Sequence, residues 1–125
     1  MSLNADHFIV LVADMDRAVA DFEALGFTVS ERADSTSHGA IYRFVVLADG
    51  AYILLTAFTD PAVRARHRLA PVLDEGEGWA DYSFVVPSVA DAAAAMGRLG
   101  SPVAGPVEVA NTLRGGERWG LNLLM

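Results

Sequence analysis

Two stretches of this sequence follow the same pattern at a distance of 74 residues. DHFIVLVADMDRAVADFEALGF, residues 6–27, and ADYSFVVPSVADAAAAMGRLGS, residues 80–101, each contain an apolar run, a polar break, apolar residues at helical spacing and a glycine near the end. The offset aligns His7 with Asp81. A repeat of this length predicts that the chain is built from two copies of one supersecondary unit.

The first copy predicts a strand, a helix and three further strands. HFIVLVA is a β-branched apolar run, Asp14 is suited to cap a helix, and Gly26 stands where a glycine commonly ends one. FTVSERA, AIYRFVVLA and AYILLTAF then read as three successive antiparallel strands joined by short loops. The expected order of the first copy is therefore β-α-β-β-β.

The connector and the second copy complete the predicted layout. Asp60 and Pro61 are placed to begin a short helix, which Pro71 would end, and VLDEGEGW follows as a polar connector. In the second copy, Ser88 and the acid three residues later form a capping box. The last strand of the first copy would recur at about 125–132, so the second copy is expected to lack its last strand within this sequence.

Composition restricts the partners that the chain can have. Its 125 residues are 53% hydrophobic, which is enough for one folded domain with a real core. A formal net charge of −7 argues against binding to nucleic acid. There is no cysteine for disulfides or thiolate sites, and no apolar run reaches the roughly 20 residues that span a bilayer. We therefore expect a cytoplasmic protein without a nucleic-acid or membrane partner.

The repeat and its strand-helix-glycine units resemble the vicinal oxygen chelate superfamily. The likeness is carried by DHFIVLV leading to EALGFTV, the hairpin FVVLADGAYILLTAF, the connector EGEGW and ADYSFVVPSVADAAAAMGRLG. This superfamily includes glyoxalase I, extradiol dioxygenases, methylmalonyl-CoA epimerase and the bleomycin and fosfomycin resistance proteins, and the chain is most similar to its glyoxalase-like domain members.

The resemblance implies an α+β fold. Two tandem βαβββ modules would form a curved mixed sheet, as half-barrels with helices on the outer face. The expected organisation is one glyoxalase-like domain, with module one at about 5–59, a connector at 60–79 and module two at about 80–125.

The resemblance also implies a metal site on the concave face, and this sequence departs from it. The ligands would stand at the head of each module's first strand, here His7 and Asp81, and at an acidic position on each last strand. That acidic position falls on Leu54 in the first module, and a leucine side chain has no electron pair to donate. Catalytic divalent metals generally have about three protein ligands. We therefore expect no cofactor, and His7 to hydrogen bond a backbone group or Asp81, with a divalent metal at His7 and Asp81 as the alternative.

Strand alternation assigns the other candidates to the two faces of the sheet. Phe8, Val10 and Val12 should pack under the first helix, and Tyr82 and Phe84 under the second, while the opposite face forms a cup. An arginine in the middle of AIYRFVV could anchor an anionic ligand if it faced this cup, and tyrosines and tryptophans could hold a planar molecule. The predicted ligand-binding residues are His7, Tyr52, Thr56, Asp81, Ser83, Arg43 and Trp119.

Two further histidines are candidates for a general base. His38 lies in a polar turn and His67 lies between arginines in VRARHR, and both are expected to be solvated. Arg64, His67 and Arg68 would share a helix face that could hold a carboxylate or phosphate. The acidic DEGEG stretch follows and would neutralise this face, so a solvated connector is favoured.

Three functions follow from these observations. The first is binding of a small organic molecule in the cup without a complete metal site. The alternative is a metal-dependent lyase, isomerase or dioxygenase with an atypical ligand set around His7 and Asp81. A third is assembly, because open sheet edges would favour a homodimer. Whether the chain is an enzyme is left open by the sequence.

Overall fold

The computed structural model describes residues 3–31, 39–101, 103–112, 115–116 and 118–125, and gives the backbone alone at 111, 112, 118, 119 and 121. None of the described helices is long and apolar enough to cross a membrane. In chain order the elements are β1 Asn4–Leu11, α1 Met15–Ala24, β2 Ser30–Glu31, β3 Ala40–Val46, β4 Tyr52–Phe58, α2 Pro61–Arg64, α3 Ala70–Glu75, β5 Gly78–Val85, α4 Val89–Arg98, β6 Val107–Thr112 and β7 Arg118–Leu123.

Five of these strands form a mixed sheet in the order β2-β3-β4-β1-β5. β2, β3 and β4 are successive antiparallel neighbours. β1 lies parallel to β4, with His7 opposite Tyr52, and parallel neighbours require a long crossover, which α1, β2 and β3 provide here. The α+β class, the mixed sheet and the three antiparallel strands are therefore confirmed.

The two long helices begin and end where local sequence signals place them. Asp14 Oδ1 accepts a hydrogen bond from Arg17 N at 3.1 Å, which satisfies one unpaired N–H of the first turn of α1. Gly26 follows α1 with φ +94°, a left-handed conformation that suits glycine. Adding 74 to the bounds of α1 gives those of α4, which Ser88 caps and Gly100 follows with φ +74°. The repeat is thus confirmed at the level of the helices.

One face of the sheet packs against α1. The strands contribute alternate residues to this core, and α1 contributes Met15 and Ala18, as its apolar spacing predicts. Phe8 lies outside the cluster, and its ring instead meets that of Trp79 edge-on. Burial of each large aliphatic side chain contributes about 1.5–3 kcal/mol to folding. The core cluster consists of Val10, Val12, Met15, Ala18, Val45, Ile53, Leu55 and Ala57.

The connector between β4 and β5 contains two short helices rather than one. Asp60 Oδ1 accepts a hydrogen bond from Ala62 N at 2.7 Å, and Pro61 lies in the first turn of α2, as predicted. Pro71, predicted to end a helix, instead lies in the first turn of α3. The prediction for Pro71 was wrong because proline, which has no N–H and a fixed φ, suits the start of a helix as well as the position after its end.

Gly39 lies where the chain enters β3 beside the connector. It has φ +79°, and its carbonyl oxygen accepts hydrogen bonds from Thr59 N at 2.9 Å and Asp60 N at 3.1 Å. A Cβ atom at this position would overlap Val63 Cγ2 and lie 2.8 Å from Asp60 Cβ. Both the backbone conformation and the lack of space therefore require glycine.

The chain divides into two compact units, one built mainly from residues 5–84 and the other mainly from 85–125. The second contains α4 and a two-stranded sheet in which β6 and β7 are antiparallel. Ala104 and Met125 exchange backbone hydrogen bonds beside this sheet, at 2.6 and 3.0 Å. In the part of the second copy that the structure describes, β5, α4, β6 and β7 follow one another as β-α-β-β.

β5 differs from the sequence expectation in the burial of its side chains. Tyr82 and Phe84, expected to pack under the second helix, are 66% and 48% exposed. Their rings contact each other edge-on, with centroids 5.5 Å apart. This exposure contradicts the expected burial: among the described strands β5 is an edge strand of the five-stranded sheet, so a neighbouring strand covers it on one side only.

Candidate functional site

His7 and Tyr52 form the centre of the predicted cup. The parallel pairing of β1 with β4 sets them opposite each other, and their rings stack with centroids 5.1 Å apart and an interplanar angle of 18°. His7 Nδ1 lies 2.7 Å from Asp6 Oδ2 and 3.3 Å from Tyr52 Oη. We assign the imidazole proton to Nδ1, which donates to the carboxylate, so that Nε2 is left as a hydrogen-bond acceptor. Within the described ranges, no protein group hydrogen bonds to this Nε2.

Phe44 and Leu54 extend the surface around His7 and Tyr52. The rings of Phe44 and Tyr52 meet edge-on with centroids 5.2 Å apart, and the strand register sets Leu54 opposite both Phe44 and Ile9. These five residues alternate with the core residues that pack on α1, so they share the other face of the sheet. All five are partly exposed, and we call them the His7 face.

Asp81 has a different partner from the one expected. It does not cap His7; its Oδ2 atom forms an ion pair with Arg68, and its Oδ1 atom accepts a hydrogen bond from Tyr82 N at 2.9 Å. The expectation of a His7–Asp81 hydrogen bond was wrong, because Asp6 from the same strand occupies the Nδ1 atom of His7 and the connector supplies a cation to Asp81.

The described donor atoms do not fit a catalytic divalent metal. His7 offers one imidazole nitrogen, the Asp81 carboxylate is paired with Arg68, and Leu54 carries only hydrocarbon where the resemblance implies an acid. Over the described ranges, no three His, Cys, Asp or Glu side chains are grouped to hold a metal ion.

Thr56 lies on the same side of the sheet as the His7 face but below its surface. It stands opposite Leu11 on β1 and Tyr42 on β3. It is only 4% exposed, and among the described residues its Oγ1 atom has no hydrogen-bond partner. A ligand on the His7 face would therefore reach Thr56 only if the groups above it moved, and ligand binding by Thr56 stays a prediction.

Arg43 lies on the opposite face from the cup. The register sets it opposite Leu55, which belongs to the core under α1. Its Nη1 atom donates to the Tyr42 carbonyl oxygen at 2.9 Å, and its Nη2 atom lies 3.6 Å from Glu31 Oε1. The expectation that Arg43 faces the cup was wrong, because adjacent residues of a strand point to opposite faces and Phe44 already occupies the His7 face.

Two other predicted ligand-binding residues, Ser83 and Trp119, lie on strands of the two sheets. Ser83 lies on β5 two positions after Asp81 and is partly exposed. Trp119 lies on β7, and its side chain is outside the described part of the chain, as is the whole of His38. Their roles stay predictions.

His67 is half-buried rather than solvated. Its ring meets that of Phe58 edge-on with centroids 4.9 Å apart, and its Nδ1 atom accepts a hydrogen bond from Leu69 N at 3.2 Å. Burial, followed by the positive charge of Arg68, lowers the pKa of His67 below its ordinary value. His67 is one of the residues that line a cavity of about 280 Å³ along α2 and α3.

Arg64 of the connector is neutralised by the DEGEG stretch, as expected. Arg64 forms an ion pair with Asp74 of the DEGEG stretch, and both residues line the same cavity as His67. The face that Arg64, His67 and Arg68 were expected to share therefore offers little net positive charge to a carboxylate or phosphate, since Arg68 is also paired, with Asp81.

Sequence reasoning missed Asp6 and Phe44 as neighbours of the cup. Asp6 directly precedes His7, and alternation along a strand argues against contact between adjacent side chains. Phe44 could have been found, because the short turn at Asp49 and Gly50 sets the pairing of β3 with β4. Counting back from that turn places Phe44 beside Leu54.

Comparisons with known proteins bear on the family and the fold of the chain. The model of the family described as "Glyoxalase-like domain" matches residues 5–121. No curated protein matches the sequence significantly. A hypothetical protein from Staphylococcus aureus has a similar structure, with a TM-score of 0.75 and 13% identity over 99% of this chain and 53% of that one. This chain thus spans about half the length of that protein.

Two further solved structures match over nearly their whole length. A hypothetical protein from Bacillus halodurans C-125 has a TM-score of 0.69 and 16% identity over 98% of this chain and 94% of that one. A variant of Streptomyces coelicolor methylmalonyl-CoA epimerase, in complex with 2-nitronate-propionyl-CoA, has a TM-score of 0.63 and 21% identity over 97% of each chain. At these identities the likeness shows a shared fold.

Proposed function

Since the chain belongs to the glyoxalase-like domain family, within the vicinal oxygen chelate superfamily, we propose that it binds a small planar organic molecule on the His7 face without a complete metal site. The observation that carries this proposal is the stacked pair of His7 and Tyr52, with Leu54 beside it in place of an acid. Leu54 has a hydrocarbon side chain at the position where the superfamily resemblance implies an acidic metal ligand.

The chemistry of the His7 face supports a flat ligand. Phe44, Tyr52 and His7 present partly exposed rings, and a stacked or edge-on ring pair contributes about 0.5–1.5 kcal/mol beyond its buried area. A binding surface of this kind needs only a few polar groups to orient its ligand. The Nε2 atom of His7 can accept one hydrogen bond, which favours a ligand with an N–H or O–H group.

A titration followed by NMR tests the proposal. Phenol is planar and has one O–H donor, whereas cyclohexanol carries the same group on a puckered ring. We expect phenol to shift the ring signals of His7 and Tyr52, to bind about threefold or more tightly than cyclohexanol, and to lose this advantage in Tyr52→Leu. Phe27→Leu is the control, because Phe27 is similarly apolar, 41% exposed and in contact with Phe22, away from the His7 face. Absence of any shift at His7 and Tyr52 would refute the proposal.

A second measurement decides between this function and a metal-dependent enzyme. Equilibrium dialysis against Zn²⁺, Ni²⁺, Mn²⁺ and Fe²⁺ is expected to give no stoichiometric binding that depends on His7. Tight binding of one ion per chain that disappears in His7→Ala would instead support a metal-dependent lyase, isomerase or dioxygenase. The homodimer and the cytoplasmic location stay predictions from the sequence.

A further inference from the structure

A second cavity, of about 340 Å³, lies along β1 and β5. Its lining combines three aromatic side chains, an alanine and one carboxylate, so that the only formal charge among these residues is negative. We call it the aromatic corner, and it is lined by Phe8, Trp79, Ala80, Asp81 and Tyr82.

Two rings of the aromatic corner, those of Phe8 and Trp79, form adjoining walls. Phe8 and Trp79 are nearly perpendicular, with an interplanar angle of 82° and centroids 6.0 Å apart. Trp79 is 65% exposed and Tyr82 is 66% exposed, so a large aromatic surface is open to a ligand. Rings set at right angles can present their negatively polarised faces to one positively charged group.

Asp81 supplies a full negative charge at this cavity, and Arg68 competes for it. The carboxylate of Asp81 is 30% exposed, whereas Arg68, which does not line the cavity, is 55% exposed. An ion pair with so exposed an arginine is weak and easily exchanged. A cation that enters the aromatic corner can therefore take the place of Arg68 beside the carboxylate.

We propose that the aromatic corner binds a small organic cation of the alkylated ammonium class, with its alkyl groups against Phe8, Trp79 and Tyr82 and its charge near Asp81. A poorly hydrated ammonium of this kind suits both parts of the lining, because it buries apolar surface and is attracted by aromatic faces and by a carboxylate. The net charge of −7 also favours the approach of cations. This site is distinct from the His7 face and goes beyond the function proposed for it.

A matched pair of probes tests the charge requirement. Choline and 3,3-dimethyl-1-butanol have almost the same shape, but a neutral carbon replaces the nitrogen in the second. NMR titration at low salt can follow the indole N–H signal of Trp79, which Trp119→Phe distinguishes from that of the other tryptophan. We expect choline to bind about fivefold or more tightly than the alcohol. Equal or tighter binding of the alcohol, or no shift at Trp79, would overturn the proposal.

Substitutions of Asp81 and Arg68 are expected to change choline affinity in opposite directions. Asp81→Asn should weaken choline binding by about tenfold, whereas Arg68→Gln should strengthen it by about threefold because the competing guanidinium is removed. The control variant Phe27→Leu should leave choline binding unchanged. Weaker binding in Arg68→Gln would contradict the assigned roles.

A variant of the aromatic wall tests whether the corner serves a second copy of the chain instead. Trp79→Leu should abolish the preference for choline, which calorimetric titration measures here because the variant has no indole signal at position 79, and it should leave the molecular mass in solution unchanged; circular dichroism checks that it folds. A dimer that Trp79→Leu dissociates, together with no choline-induced shift at Trp79 of the wild type, would assign this surface to protein contact and refute the proposal.

Discussion

β1 and β5 begin the two repeats, yet equivalent positions in them are buried to very different degrees. β1 lies between β4 and β5, and its Leu11 is fully buried. β5 lies at the edge of the sheet, and Val85, the counterpart of Leu11 at the 74-residue offset, is 52% exposed. The apolar pattern is similar in both strands, so the neighbouring strand decides whether such a residue contributes to the core.

The aligned polar residues His7 and Asp81 show the same dependence on neighbours. His7 stacks on Tyr52 from the adjacent strand, whereas Asp81 reaches Arg68 from the connector. The repeat thus reproduces the backbone layout, while the partner of each polar residue is set by the element that happens to pack beside it. One copy presents an imidazole on an aromatic face, and the other presents a carboxylate beside exposed rings.

The largest expected difference between the two strands is in the free energy of unfolding. Leu11→Ala should destabilise the protein by about 2–5 kcal/mol, because it removes a fully buried side chain and leaves a cavity. Val85→Ala should cost less than about 1 kcal/mol, because the side chain is half exposed. Urea denaturation measures both. Similar losses in the two variants would show that β5 is as buried in solution as β1.

A smaller difference in the free energy of unfolding is expected between substitutions of Asp6, the partner of His7, and of Asp81. Asp6→Asn should destabilise by about 0.5–1.5 kcal/mol, because it weakens a partly buried hydrogen bond to His7. Asp81→Asn should cost about 0–1 kcal/mol and its effect should shrink at high salt, because its ion pair with Arg68 is exposed. Denaturation at low and high salt tests this, and a salt-independent cost at Asp81 larger than that at Asp6 would reverse the comparison.

The smallest expected effect is a pH dependence in the connector that carries the partner of Asp81. Burial and the charge of Arg68 lower the pKa of His67, so the unfolded chain binds this proton more readily than the folded protein. The contribution of neutral His67 to the free energy of unfolding is therefore fully present above pH about 6.5 and is lost as the pH falls below that value. Unfolding of wild type and His67→Gln between about pH 5 and pH 8 measures it. We expect the variant to lose this decline, and Arg68→Gln to reduce it.

The parts of the fold that the sequence predicted depend on short-range signals. Asp14 and Gly26 bound α1 through hydrogen bonds and backbone angles within one helical turn, and Ser88 and Gly100 do the same for α4. The alternation of side chains along β1 correctly assigned Val10 to the core, because every second residue of a strand points to the same face of the sheet. These features need no knowledge of distant residues.

The parts that could not be predicted depend on which elements meet. Pro71 fits the start of one helix as well as the end of another, and only the packed connector decides between them. The exposure of Tyr82 and the pairing of Asp81 with Arg68 follow from the position of β5 at the edge of the sheet and from a connector that turns back towards it. The residue types alone decide neither the helix that Pro71 belongs to, nor the exposure of Tyr82, nor the partner of Asp81.

The lack of a side chain at Gly39 limits how the connector can evolve. Any other residue there would have to leave the left-handed conformation and push away Val63 and Asp60, the residue that caps α2. A side chain at position 39 would thus displace the connector, and Arg68 would move with it relative to Asp81. Compensation would require a second substitution on α2, so we expect position 39 and position 63 to vary together among proteins that share this arrangement.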